Sequence, residues 1–168
     1  MLKEQIQQYF DRNKGNSRVE NISSIKNHFS QFYKLGKKLE NGTTERVNYA
    51  LVRAEKIFLS LFENDETEIF TLIYEFPEPN CFNAPNQYLH SQFFNILEKQ
   101  TIFLEEVTIY IYKSKLKDIH WKNILCAIAN TEMGFEPAID QKIFFFDIEK
   151  NNDFYMYDDR GCLSNNSL

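Results

Sequence analysis

Ile143-Phe144-Phe145-Phe146-Asp147-Ile148 is followed by the polar segment Glu149 to Asp153 and then by Phe154-Tyr155-Met156-Tyr157. Aromatic and β-branched side chains suit a pleated, half-buried surface, and the polar interval has hairpin length, so the stretch reads as two short antiparallel strands. A hairpin forces at least one antiparallel pair. That excludes a purely parallel, doubly wound sheet.

Upstream of the hairpin, apolar periodicity alternates between helix and strand. Leu2, Ile6, Tyr9 and Phe10 recur at helical spacing and predict a helix over residues 1–12, with the sequence leaving open whether it docks or swings free. Phe29 to Leu35 reads as a strand ended by Gly36. Val47, Ala50, Leu51, Ala54, Ile57, Phe58, Leu61 and Phe62 form one apolar stripe, predicting a helix from about Arg46 to Phe62. Val52 and Leu59 lie off that stripe.

Ile69 to Phe76 is nearly all apolar, as expected of a strand covered on both faces. Leu89, Phe93, Ile96 and Leu97 suggest a second long helix, Ala84 to Lys99, capped by Asn83 with Pro85 in its first turn. Thr101 to Tyr112 reads as one long strand, with Val107, Ile109 and Ile111 alternating against Thr108, Tyr110 and Tyr112. A third helix starts near Asp118 and turns Trp121, Ile124, Leu125 and Ile128 inward. The tail 164–168 is polar and expected to fray.

The expectation is an α+β (mixed α/β) domain spanning residues 1–168: one mixed sheet of about five strands, the C-terminal antiparallel hairpin included, with about four helices packed on it. The 168 residues suffice for a core without disulfide or metal support. A 43% hydrophobic and 26% charged composition rules out wholesale disorder, and the 15% aromatic share promises a ring-rich core.

A net charge of -5 argues against duplex nucleic acid or an anionic membrane as the main partner. The small basic patches Lys34/Lys37/Lys38 and Lys113/Lys115/Lys117 do not overturn that balance. No apolar run nears the ~20 residues of a membrane span, and the first residues carry no signal-peptide stretch, so a cytoplasmic location is expected.

Cys81, Cys126 and Cys162 form no Cys-x-x-Cys pair, and His28, His90 and His120 lack the i, i+4 spacing of a helical metal site. No metal or cofactor is expected. Phosphate-loop and Gly-x-Ser-x-Gly patterns are absent. The acidic loop Glu63 to Glu68 lacks the ligand spacing of a calcium-binding hand.

The densest polar cluster is Tyr157-Asp158-Asp159-Arg160-Gly161. Its functional reading is a binding segment, or a carboxylate-based or metal-assisted catalytic site. Its structural reading is a strand-end turn in which one Asp caps the backbone and the Arg pairs with a carboxylate. Neighbouring residues on a strand point to opposite faces, so Asp158 and Asp159 should diverge. Arg53, beside the stripe of the strongest helix, is the expected partner of Asp159 in a structural ion pair. No catalytic residue is assigned.

Three segments together resemble an uncharacterised bacterial family, domain of unknown function 3885: Phe32-Tyr33-Lys34-Leu35-Gly36, Arg53-Ala54-Glu55-Lys56-Ile57-Phe58 with Leu61-Phe62, and Tyr157-Asp158-Asp159-Arg160-Gly161. Phe32 and Lys34 stand where the family pattern is richer in charge. The resemblance implies a small bacterial protein and brings no activity or ligand. The expected function is a non-enzymatic, cytosolic interaction or regulatory protein, such as a toxin-neutralising partner, that binds another protein. The alternative is an enzyme with its site around Asp158, Asp159 and Arg160.

Overall fold

The computed structural model describes residues 1–27, 29–77 and 86–165. Its helices are α1 (Leu2–Asn13), α2 (Ile22–Lys26), α3 (Thr44–Leu61), α4 (Asn86–His90) and α5 (Trp121–Asn130). The strands are β1 (Gln31–Lys34), β2 (Glu68–Glu75), β3 (Ile96–Phe103), β4 (Thr108–Lys115), β5 (Lys142–Asp147), β6 (Asn152–Asp158) and β7 (Gly161–Ser164). They form one seven-stranded sheet in the order β1-β7-β6-β5-β2-β4-β3, antiparallel throughout. The α+β class stands. The sheet is larger than expected and is not mixed.

Helices cover both faces of the sheet. In β2, Ile69 and Ile73 join the core beneath α3 and α5, while Phe70, Leu72 and Tyr74 join the core beneath α1 and α2. That alternation explains why the strand reads as a continuous apolar run. On the first face Phe58 of α3 is fully buried, stacked on Trp121 at 4.5 Å and set edge-on to Phe145 and Phe154 at 5.2 and 5.3 Å. On the second, Tyr9 and Phe10 of α1 meet Phe146 edge-on at 5.7 and 5.5 Å. Rings in such geometry contribute about 0.5–1.5 kcal/mol each beyond the area they bury.

Local chemistry sets the element ends. Thr43 caps α3 by accepting the Arg46 backbone N–H at 3.3 Å. In the β5–β6 hairpin, Asp147 accepts the backbone N–H groups of Glu149 and Lys150 at 3.1 and 3.0 Å, and Asn151 takes a left-handed φ of 58°.

Four expectations are corrected. The helix Ala84–Lys99 is only the short α4, followed by β3; Asn83 and Pro85 lie outside the described residues. The long strand Thr101–Tyr112 is two strands, β3 and β4, joined by a turn in which the Leu104 N–H donates to the Val107 carbonyl at 3.0 Å. Helix α5 is preceded by His120, not Asp118; Asp118 is buried in a 3-10 turn and accepts from Asn95 Nδ2 at 3.1 Å. Ser164 does not fray but is a buried residue of β7.

A charged cluster lies inside this scaffold. Lys14 and Asp153 are both fully buried and form an ion pair. Tyr9 Oη donates to Asp153 at 3.2 Å, and the Asn165 N–H donates to it at 2.7 Å. The cluster stitches the end of α1 to β6 and to the residue after β7.

Candidate functional site

Asp158 and Gly161 pair across the end of the β6–β7 hairpin, leaving Asp159 and Arg160 as the turn. Asp158 Oδ1 accepts the Arg160 backbone N–H at 2.7 Å, while Oδ2 accepts Nε at 2.8 Å and also Nη2. One carboxylate therefore closes the turn and holds the guanidinium.

Asp159 is fully buried, and its Oδ2 accepts from Arg46 Nε at 2.6 Å. The expected Arg53–Asp159 pair is thus replaced by Arg46–Asp159. Arg46 and Arg53 lie two helical turns apart on one side of α3, about 10 Å along the axis, and the hairpin turn reaches only the N-terminal one. Arg53 is exposed and lies against Tyr49, whose hydroxyl is 3.4 Å from its Nη1.

Two segments distant in sequence meet at this turn. The Leu35 N–H donates to the Arg160 carbonyl at 2.9 Å, and β1 pairs with β7 along Gln31 to Lys34. Phe32 stacks on Tyr157 with centroids 6.4 Å apart. Gly36 leaves room for the guanidinium of Arg46, since a Cβ there would lie 2.6 Å from Nη2. Tyr157, the first residue of the candidate segment, is half-buried, and burial raises its hydroxyl pKa.

The two aspartates do not diverge. Asp159 has left the strand for the turn, so strand alternation no longer separates it from Asp158. One carboxylate oxygen from each, with one from Glu132 in the 3-10 turn after α5, lie within 4.8 Å of one another. Glu132, Asp159 and Arg160, with Asn41, Gly42 and Met133, line an open depression of about 430 Å³. Asp159 Oδ1 is buried and receives no hydrogen bond among the described residues.

A second surface lies at the opposite side of the sheet. Among the described residues β3 pairs only with β4, so its other edge carries open backbone. Leu97 and Phe103 of β3 are exposed, as is Phe94 just before it. At the β3–β4 turn Phe76, Pro77, Leu104 and Val107 help line a depression of about 280 Å³.

A polar network invisible in the sequence joins α4 to the sheet. His90 Nε2 lies 3.2 Å from Glu75 Oε1, and its Nδ1 lies 2.8 Å from Tyr112 Oη. Tyr110 Oη and Gln141 Nε2 also donate to Glu75, at 3.2 and 3.1 Å. Burial, with Tyr110 and Glu75 nearby, pushes the Tyr112 hydroxyl up to about 12, so it stays protonated. The His90 ring thus bridges Tyr112 through Nδ1 and Glu75 through Nε2, tying α4 to β4 and β2. The partners come from separate elements, and no local spacing announces them.

The remaining expected features are accounted for by contacts. Lys113 pairs with Glu68 at 2.8 Å, and Lys115 and Lys117 both bind Glu66, so the acidic loop neutralises one of the basic patches. Cys126 lies on α5 and Cys162 on β7; burial raises both thiols, Cys162 to about 12. Cys81 and His28 lie outside the described residues. No helix of the described residues is long and apolar enough to cross a membrane.

The family model described as Domain of unknown function (DUF3885) matches residues 3–163. No curated protein and no solved structure matches.

Proposed function

The chain belongs to the DUF3885 family, a domain of unknown function, and from that premise we propose that it is a cytoplasmic, non-catalytic interaction protein. It adds an extended segment of a protein partner to the free edge of β3. One observation carries this reading: an eight-residue edge strand that, among the described residues, pairs on one side only and whose exposed side chains include Leu97 and Phe103. Proteins usually blunt such an edge with proline, brevity or a covering element. Glu98 and Lys99, with a register irregularity between Ile96 and Glu98, protect this edge only in part.

In strand addition the main chain provides affinity and pockets provide specificity. The depression beside Leu104 and Phe76 stands at the end of β3, where it can take an apolar side chain of the added strand. A regulator, or a partner that neutralises a toxin, would use such an edge.

The test is affinity capture by wild type and by the double variant Leu97→Lys/Phe103→Lys, with amine cross-linking. The expected result is a stoichiometric partner that cross-links through Lys99 and is lost by the folded double variant. A partner retained equally by both chains, or cross-linked only elsewhere, rules the reading out.

A further inference from the structure

We propose that Glu132, Asp158 and Asp159 form a binding site for a hard divalent cation, with Arg160 as the resident counter-charge that the ion displaces. The first support is spacing. Each residue offers a carboxylate oxygen, and the three lie within 4.8 Å of one another. Around Ca²⁺, with oxygens at about 2.4 Å, adjacent ligands stand about 3.4 Å apart and opposite ones about 4.8 Å. The oxygens already occupy that envelope. The smaller Mg²⁺ shell, at about 2.1 Å, asks for a modest contraction.

The second support is independent of the clustering. Asp159 is fully buried, Arg46 takes its Oδ2, and its Oδ1 has no donor among the described residues. A buried carboxylate oxygen without a donor bears a large desolvation cost, and a cation relieves it. Asp159 also lines the open depression of about 430 Å³, which offers a route in and room for the waters that complete the shell.

Charge identifies the exchange. Three carboxylates face two guanidinium groups, leaving one net negative charge. Arg46, with 11% of its side chain exposed, is held in place; Arg160, held by Asp158 but with 60% of its side chain exposed, is the guanidinium that solvent can take up when an ion displaces it. Its departure leaves two net negative charges, which match a divalent ion. It also releases Asp158 Oδ2 while Oδ1 keeps the backbone N–H of the turn. Carboxylate oxygens select Ca²⁺, Mg²⁺ or Mn²⁺ over softer ions, in a chain whose cysteines take no part.

The experiment is calorimetric titration of the full chain with Ca²⁺, Mg²⁺ and Mn²⁺ in separate runs, repeated on Glu132→Gln and Arg160→Met. Wild type is expected to bind one equivalent of at least one ion. Loss of one ligand in Glu132→Gln weakens that binding by at least about tenfold. Removal of the competing charge in Arg160→Met tightens it by about tenfold. Glu132 is exposed, so Glu132→Gln keeps the fold, and a thermal melt without metal checks both variants. Three results overturn the site: no saturable binding by wild type up to about 10 mM of every ion, binding confined to Arg160→Met, or binding that Glu132→Gln leaves unchanged.

Discussion

Arg46 Nε donates to Asp159 Oδ2 across 2.6 Å, fastening the first turn of α3 to the β6–β7 turn. Both side chains are withdrawn from water, at 11% and 0% exposure. Removing one partner of such a pair strands the other's charge. Arg46→Met and Asp159→Asn are each expected to cost about 3–5 kcal/mol in urea denaturation, and the double variant to lose clearly less than the sum. Arg53→Met, on the exposed side of the same helix, should stay within about 0.5 kcal/mol of wild type.

Phe58 is the point where α3, α5, β5 and β6 meet. Its ring touches Trp121, Phe145 and Phe154, so truncation leaves a cavity that no single neighbour can fill. Phe58→Ala should destabilise by about 3–5 kcal/mol. Val52→Ala and Leu59→Ala, off the stripe and exposed, should change stability by no more than about 0.5 kcal/mol.

The buried Lys14–Asp153 pair makes a pH prediction. Burial holds Lys14 below its ordinary value of 10.5, with Asp153 opposing the shift. Between the folded value and 10.5 the unfolded chain therefore carries the extra proton, so stability contributed at Lys14 rises as pH rises through that window. Burial raises Asp153 above 3.8, so in the acidic window just above 3.8 the folded chain holds the extra proton and stability falls with rising pH. Denaturation at pH 9 to 10.5 should show wild type gaining stability with pH relative to Lys14→Met. A flat difference between the two chains contradicts the prediction.

Gly161 is a position of close approach. A Cβ there would lie 2.6 Å from Phe32 Cε2 and closer still to Tyr157 Oη, forcing the stacked rings apart. Gly161→Ala should cost about 1–3 kcal/mol by overpacking. Adding Phe32→Ala should make the glycine substitution less costly, which a double-mutant cycle measures.

Residues whose environment is set by near neighbours were readable from the sequence. The stripe from Val47 to Leu61 announces α3, and the run from Ile69 to Tyr74 announces a central strand because both its faces are covered. β3 was misread because Leu89, Phe93, Ile96 and Leu97 happen to repeat at helical spacing. A register irregularity between Ile96 and Glu98 breaks the strand alternation, and Glu98 to Thr101 present polar side chains at an open edge. The β3–β4 turn hides for a different reason: Glu105-Glu106 contains no glycine, proline or asparagine.

At the candidate site, the cap-and-pair reading of the turn was legible in Asp158-Asp159-Arg160-Gly161. Arg46 was not, because helical periodicity places Arg46 and Arg53 on one side and only the tertiary contact chooses between them. Glu132 and the Glu75–His90–Tyr112 network depend on elements far apart in the chain, which spacing rules do not reach.

The sheet order carries a consequence for the chain while it is being made. Among the described residues β1, complete at Lys34, pairs only with β7, which begins at Gly161. At ordinary elongation rates the nascent chain waits roughly ten seconds between the two. Through that interval Phe32 and Tyr33 have no strand to lie against, and Lys14 lacks the carboxylate it is buried with. The sheet cannot close on that side until β7 has been made, so the nascent chain, more than the folded domain, is the state that needs shelter from aggregation.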